Sequence, residues 1–187
     1  MPGNSLSDVK WGMGAVYGAI TYVSALLFTA VWFYIDHQGT NLEARESTTA
    51  EVVGLTVSLF YNAQGVAGDI NWLNFLSPPV GRELVAPVYH AIPVVIILLF
   101  AAVYVYAEAD VSDRLAAFAS GASLAIGYLA VSIVVVLAFR FVLETVFPLG
   151  MVVATGIVIP AVLGGVAGLV ANEVKTRVDG GDRAAPS

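Results

Sequence analysis

The 187-residue sequence contains no cysteine and little charge. Without cysteine the chain can form no disulfide and no thiolate metal site, and it has no cysteine nucleophile. Charged residues make up only 12% of the chain, and Lys10 and Lys175 are its two lysines. Acidic side chains outnumber basic ones by 14 to 8. This balance disfavours nucleic acid as a partner, because both would be negatively charged.

Hydrophobic residues reach 58% of the chain. A soluble domain of this size cannot bury so many apolar side chains, because much of its surface stays exposed. We therefore expect the lipid bilayer to be the solvent for much of the chain and the cell membrane to be its location. An acidic, lysine-poor chain rich in Val, Ala and Gly also resembles the proteins of salt-adapted archaea in composition.

Four apolar runs are long enough for helices that cross a bilayer, which requires about 17 to 25 residues. They are residues 11–35, 91–107, 115–139 and 145–172. The short charged insert at 108–114 separates the second run from the third and predicts an antiparallel hairpin. The sequence therefore predicts an all-α integral membrane bundle with four transmembrane helices, five being possible.

The segment 36–90 decides between four helices and five. Residues 52–68 carry no charge, but they include Asn62, Gln64 and three glycines and would make a poor span. We favour a helix at 52–65 that lies in the membrane interface, within an outer loop. This interpretation keeps the number of spans at four.

Basic residues near the ends of the spans predict the orientation, because cytoplasmic loops are enriched in them. With four spans and a cytoplasmic amino terminus, five basic residues lie inside and three outside. We therefore place the termini at 1–10 and 173–187, and the loop 108–114, in the cytoplasm. With five spans and an external amino terminus, five basic residues again lie inside and three outside. Charge therefore does not choose between the two arrangements.

Small residues recur at every fourth position on two of the predicted helices. The first helix has Gly14 and Gly18, and the last carries a longer stripe of Gly156, Pro160, Gly164 and Gly168. Such stripes let helix backbones approach closely in lipid. We expect them to pack helices, either within the chain, in a homo-oligomer or against another membrane protein.

Three further features of the predicted helices bear on function. A third small-residue stripe runs along the third helix through Ala116, Ser120, Ser123, Gly127 and Ala130. The second helix has bulky residues at 96–100 instead, and we expect it to be the one that faces lipid. Alternatively, Pro160 and the glycines around it could break the last helix at a substrate site, as in transporters.

Side chains that could act in catalysis, ion transport or metal binding are scarce in the predicted spans. No Asp, Glu, Lys, Arg or His lies in the middle of any of them, whereas proton relays and ion-coupled carriers depend on such residues. The two histidines, His37 and His90, fall at the outer ends of the first two helices, with Asp69 and Glu83 between them. Imidazoles and carboxylates can bind zinc, but this spacing fits no metal motif, so we expect neither a metal nor a cofactor.

One short segment carries a resemblance to known proteins. Leu59-Phe-Tyr-Asn-Ala63 lies between a first helix and a proline-rich loop, and three more helices follow. This layout resembles uncharacterised multi-pass membrane proteins of halophilic archaea, some of them labelled transporter-like. The resemblance implies location and topology and carries over no functional residue.

The sequence therefore leaves three functional hypotheses. The leading one is a non-catalytic membrane subunit or scaffold, because helix-packing motifs are present and charged or catalytic side chains are absent from the predicted spans. The alternative is a small-solute transporter or channel. A membrane-embedded enzyme comes third, with His37 and His90 as its candidate acid, base or metal-binding residues.

Overall fold

The computed structural model describes residues 5–37, 49–66, 87–109, 111, 113–143 and 147–182. All regular structure within these ranges is helical. A short 3-10 helix, Ser5–Asp8, precedes six α-helices. These are α1 (Trp11–His37), α2 (Thr49–Ala63), α3 (Pro87–Ala107), α4 (Arg114–Ala122), α5 (Leu124–Leu143) and α6 (Leu149–Asp182).

Four stretches of these helices are long and apolar enough to cross a membrane. They are Trp11–Ile35, Pro87–Ala107, Arg114–Phe141 and Leu149–Val178. The prediction of an all-α bundle with four such helices is confirmed, and the protein is a membrane protein. The short helix predicted at 52–65 is present as α2, whose length of about 22 Å falls short of a hydrocarbon core of about 30 Å.

The ends of two helices differ from the predicted ones. The second apolar helix begins at Pro87 rather than at residue 91, because proline is favoured in the first turn, where its missing N–H costs nothing. The last helix begins at Leu149, directly after Pro148, and continues to Asp182, far into the tail assigned to 173–187. Its polar end therefore extends beyond the apolar stretch.

The third predicted helix is interrupted at Ser123, between α4 and α5. The Ser123 hydroxyl donates to the carbonyl oxygen of Ser120 at 2.6 Å. The Ser123 N–H is shared between the carbonyls of Ala119 and Ser120, and Ile126 N–H reaches back only to Ser123. Bonds of this shorter i to i+3 type tighten the turn, so the serine hydroxyl and the local 3-10 geometry account for the interruption.

The interrupted helix connects the two halves of the bundle. Its second half, α5, packs on α1, and its first half, α4, packs on α6, while α3 lies between α1 and α6. In the most apolar stretch of α3, 39% of residues are buried, against 28% in α6. The expectation that α3 is the helix that faces lipid is therefore wrong. One face of α3, which includes Pro93 and Ala101, is buried in the bundle.

Basic side chains gather at the end of the bundle where α1 begins. Lys10 Nζ donates to the carbonyl of Glu108 at 2.8 Å, and Lys175 Nζ donates to that of Ala109 at 3.4 Å. Both carbonyls follow the last residue of α3, where a cation is favourable to the helix dipole. On the same end Arg114 pairs with Glu173 at 3.4 Å. The beginnings of α1 and α4 and the ends of α3 and α6 are thus held together.

Candidate functional site

A group of hydrogen-bonded side chains lies in the centre of the bundle. We call it the tyrosine cluster and define it as Tyr22 of α1, Tyr61 of α2, Tyr128 and Ser132 of α5, and Gln64, which follows α2. The three tyrosines are at most 1% exposed. Tyr22 and Tyr128 stand near the middles of their apolar stretches, Trp11–Ile35 and Arg114–Phe141. These two tyrosines therefore lie far from both ends of their helices.

Tyr61 is the centre of this cluster. Its hydroxyl donates to the backbone carbonyl of Ser132 at 2.9 Å, and the Ser132 hydroxyl lies 3.0 Å away. The Tyr22 hydroxyl oxygen lies 2.7 Å from that of Tyr61. Because Tyr61 has one proton and gives it to the carbonyl, Tyr22 is the donor in this contact. A single side chain of α2 thus binds both α1 and α5.

A second pair of bonds connects α5 to the end of α2. The Tyr128 hydroxyl donates to Gln64 Oε1 at 2.9 Å, and Gln64 Nε2 donates to the carbonyl of Phe60 at 3.3 Å. Gln64 is buried, and an unbonded amide in such a place costs several kcal/mol in hydrocarbon. Asn62 and Gln64 are two of the residues that make 52–68 a poor span in the sequence. In the structure, Gln64 has hydrogen-bond partners inside the protein.

Aromatic rings surround these bonds. Tyr22 contacts Phe60 and Tyr128 edge to face, with ring centroids 5.2 and 5.0 Å apart. On the other side Tyr61 lies against Phe147, at 4.8 Å. Pairs of this geometry contribute about 0.5 to 1.5 kcal/mol each beyond the area they bury. The cluster is consequently a rigid part of the core as well as a polar one.

The helix α2 stops at a defined capping motif. Gly65 has a φ of 81°, in the left-handed region where only glycine is unstrained. Its N–H donates to the carbonyl of Asn62, and the N–H of Val66 donates to that of Tyr61, which together form a Schellman motif. Val66 is completely buried. The chain therefore turns sharply inside the protein.

The five glycines and one proline that the sequence singled out for helix packing are all buried. A Cβ atom at Gly18 would overlap the carbonyl oxygen of Leu124, and one at Gly14 would overlap the Ser123 side chain. On the last helix a Cβ at Gly164 would overlap the carbonyl of Gly121. The structure thus brings the first helix against the second half of the interrupted helix, and the last against its first half.

The remaining members of the last stripe pack in the same way. A Cβ at Gly168 would overlap the carbonyl of Ala117, and one at Gly156 would lie 3.1 Å from the Leu129 side chain. Pro160 is buried inside α6, which continues through it without a break. The alternative of a broken last helix is therefore wrong, and the interruption occurs at Ser123 instead.

The histidines do not form a metal site in the described part of the chain. His90 Nδ1 lies 2.7 Å from the carbonyl oxygen of Ala63, which makes it the donor of a bond to the end of α2. No group of three or more His, Asp or Glu side chains that could hold a metal ion occurs among those residues. The side chain of His37, and both Asp69 and Glu83, lie outside the described residues.

One buried hydroxyl is left over. Within the described ranges, Ser120 Oγ is the buried side-chain polar atom that has no hydrogen-bond partner. Its neighbour Gly121 makes the close backbone contact with Gly164. Ser120 is one of the small-residue positions that the sequence indicated on the third helix, and its side chain is completely buried.

The tyrosine cluster was only partly indicated by the sequence. Phe60 and Tyr61 belong to the five-residue segment on which the resemblance rests, but neither residue had an assigned role. Tyr22 and Tyr128 were not singled out, because a tyrosine within an apolar helix is ordinary. The available signal was a tyrosine and a glutamine three residues apart in a stretch without charge, which would have indicated a polar contact in the core.

One family model matches the chain, over residues 3–175, and its description is Family of unknown function (DUF7978). The match includes the first three long apolar stretches, most of the fourth, and the tyrosine cluster. No curated protein matches the chain. No solved structure matches it either.

Proposed function

The chain belongs to this family of unknown function, and we propose that it crosses the cell membrane four times and acts as a non-catalytic subunit or scaffold. The observation that supports this role is that the polar side chains of the tyrosine cluster bind one another. The hydroxyl of Tyr61 is bonded to Tyr22 and Ser132, and that of Tyr128 to Gln64. Polar groups that are bonded to one another stabilise the bundle and are not directed at a substrate.

The distribution of basic residues supports the orientation that we propose. Lys10, Arg114, Lys175 and Arg177 lie at the end of the bundle where α1 begins, while Arg140 lies near the end of α5. Cytoplasmic ends carry the excess of basic residues. We therefore place the beginning of α1 and the end of α6 in the cytoplasm, as the sequence predicts.

A partner would contact a surface other than the glycine stripes. Gly14, Gly18, Gly164 and Gly168 are occupied by close contacts within one chain. The exposed side chains of α1 and α6 are large and apolar, such as Leu27 at 59% and Val162 at 51%. We propose that the bundle meets a membrane partner, or a second copy, through such side chains or through the first outer loop.

The scaffold proposal is tested by purifying the protein in a mild detergent and measuring its mass by light scattering. A homo-oligomer, or one membrane protein present in a fixed ratio, supports the proposal. Leu27→Ala and Val162→Ala, at exposed positions, should weaken the assembly without a change in melting temperature if their helix faces the partner. A monomer without partner that moves a solute across liposomes would contradict the proposal.

A small-solute transporter or channel is the second candidate, and one observation favours it. The helix α2 ends among the side chains of the core, and the third span is discontinuous because it is interrupted at Ser123. Transporters commonly place discontinuous helices at a solute path. Flux of ions, sugars, amino acids or osmolytes into liposomes would support this candidate if Tyr61→Phe alters the rate and the exposed control Tyr34→Phe does not.

A further inference from the structure

We propose that α2 is a re-entrant helix, which enters the bilayer on the side where α1 ends and stops inside it at Gly65. The proposal goes beyond the proposed function, because a scaffold and a transporter could both contain such a helix. It also differs from the interfacial helix and from the fifth span that the sequence left open. It requires that the first half of α2 lie near one membrane surface and the second half deep in the bundle.

The first half of α2 lies at the end of the bundle where α1 ends. Leu55 of α2 forms a buried group with Phe33, near the end of α1, and with Tyr89, near the start of α3. Leaving from this level, α2 runs back along α1. The start of α3 lies at this same end of the bundle, because Tyr89 belongs to the same buried group.

The side chains of the second half of α2 reach the middle of the bundle. Phe60 contacts Tyr22 ring to ring, and Tyr61 is bonded to the same tyrosine. Leu55 and Phe60 lie about 7.5 Å apart along α2, at 1.5 Å per residue, and the aromatic side chains span the remaining distance to Tyr22. Since α2 is too short to span and is followed by the completely buried Val66, a re-entrant path fits the contacts better than either alternative.

The end of α2 is built for surroundings without water. The last four carbonyls of a helix have no partner within it, and in hydrocarbon each must find one. In α2 the carbonyl of Phe60 accepts from Gln64 Nε2 and that of Ala63 from His90 Nδ1. The carbonyls of Tyr61 and Asn62 accept from the N–H groups of Val66 and Gly65. All four carbonyls therefore have donors inside the protein.

Depth measurement tests the proposal directly, because the chain has no cysteine of its own. A spin label is attached to Val53→Cys or to Ala63→Cys in liposomes, and its depth is measured from its accessibility to oxygen and to a water-soluble nickel complex. Ala63 should lie deeper than Val53, by up to about 15 Å if the helix runs along the membrane normal. Equal depths within a few ångströms would show an interfacial helix and overturn the proposal.

Labelling from one side separates a re-entrant helix from a spanning one. Thr48→Cys and Ser77→Cys flank α2, and both should react with a membrane-impermeant maleimide added to the same side of intact cells. Reaction from opposite sides would show that the segment crosses the membrane and would overturn the proposal. Neither result depends on whether the protein acts as a scaffold or a transporter.

The role of Tyr61 in holding the helix end is tested in the Ala63→Cys background. Adding Tyr61→Phe should raise the rate of reaction with the maleimide by up to about tenfold. The change removes the hydrogen bonds of Tyr61 to Tyr22 and Ser132, so the end of α2 should be exposed more often. Adding Tyr34→Phe, at an exposed position on α1, should leave the rate unchanged. An unchanged rate in both variants would show that Tyr61 does not hold the end of α2. If the Tyr61 variant does not fold, the depth measurement still decides the proposal.

Discussion

The hydroxyl oxygens of Tyr22 and Tyr61 lie 2.7 Å apart, in a buried contact between α1 and α2. Tyr22 stands near the middle of an apolar helix that is long enough to cross a membrane, whereas Tyr61 belongs to a helix that is too short. Their contact therefore fixes how far α2 reaches into the bundle. It also gives the most direct way to test the core by mutation.

Replacing Tyr61 by phenylalanine should destabilise the protein by about 1 to 3 kcal/mol. The change keeps the ring but leaves the buried Tyr22 hydroxyl without its acceptor, and an unsatisfied buried group costs an amount of this size. The measurement is thermal unfolding in detergent, followed by circular dichroism. Tyr34→Phe is the control, because Tyr34 is 64% exposed, and the prediction fails if both variants melt alike.

Replacing Gly164 by alanine should lower the stability by about 1 to 3 kcal/mol or more, as for other overpacked cores. The added Cβ would overlap the carbonyl oxygen of Gly121, and a backbone atom cannot move aside as a flexible side chain can. Gly150→Ala lies on the same helix and has nothing within 4 Å of the new Cβ. The control should therefore melt at the temperature of the unchanged protein or above it. Equal loss of stability in both variants would contradict the close contact.

Removing the Asp113 side chain should destabilise the beginning of α4. Asp113 Oδ1 accepts from the N–H of Ala116 at 2.8 Å, and losing such a cap costs about 0.5 to 2 kcal/mol. Thermal unfolding of Asp113→Ala measures this loss. By contrast Glu173→Gln, which removes the exposed ion pairs with Arg114 and Arg177, should melt without change. A larger loss in the glutamate variant would show that these ion pairs matter more than the cap.

The orientation can be measured with single cysteines and an impermeant maleimide in intact cells. Ser5, Ser112 and Ser187 should be protected as cysteines, because we place both termini and the short loop in the cytoplasm. Thr48 and Ser77 should react. Reaction at Ser5 and protection at Thr48 would invert the orientation and contradict the interpretation of the basic residues.

Hydropathy and composition identified the four long helices correctly, because the length of an apolar run is a local property. The predicted ends of these helices were less accurate than their number. The interruption at Ser123 was missed because it depends on one serine hydroxyl that binds the carbonyl of Ser120 and on a shift to shorter hydrogen bonds. A charge-free run such as 115–139 contains no signal for this geometry.

The small-residue stripes were a more useful indication than the histidines. All six residues chosen for helix packing are buried, but the sequence left open whether they act within one chain or between chains. Contacts such as that between Gly18 and Leu124 join residues far apart in the sequence, so no local pattern identifies the partner. Whether an oligomer forms in addition remains a prediction. The salt-adapted origin also remains a prediction, from composition alone.

The sequence by itself determined that this protein is an all-α membrane protein with four helices of spanning length, because lipid requires long uncharged helices. Only the tertiary structure decided where α2 ends and what binds it. That position follows from hydrogen bonds such as the one from Tyr61 to Ser132, 71 residues apart. A buried polar group is stable only with a partner, and that partner is known only once the helices are packed.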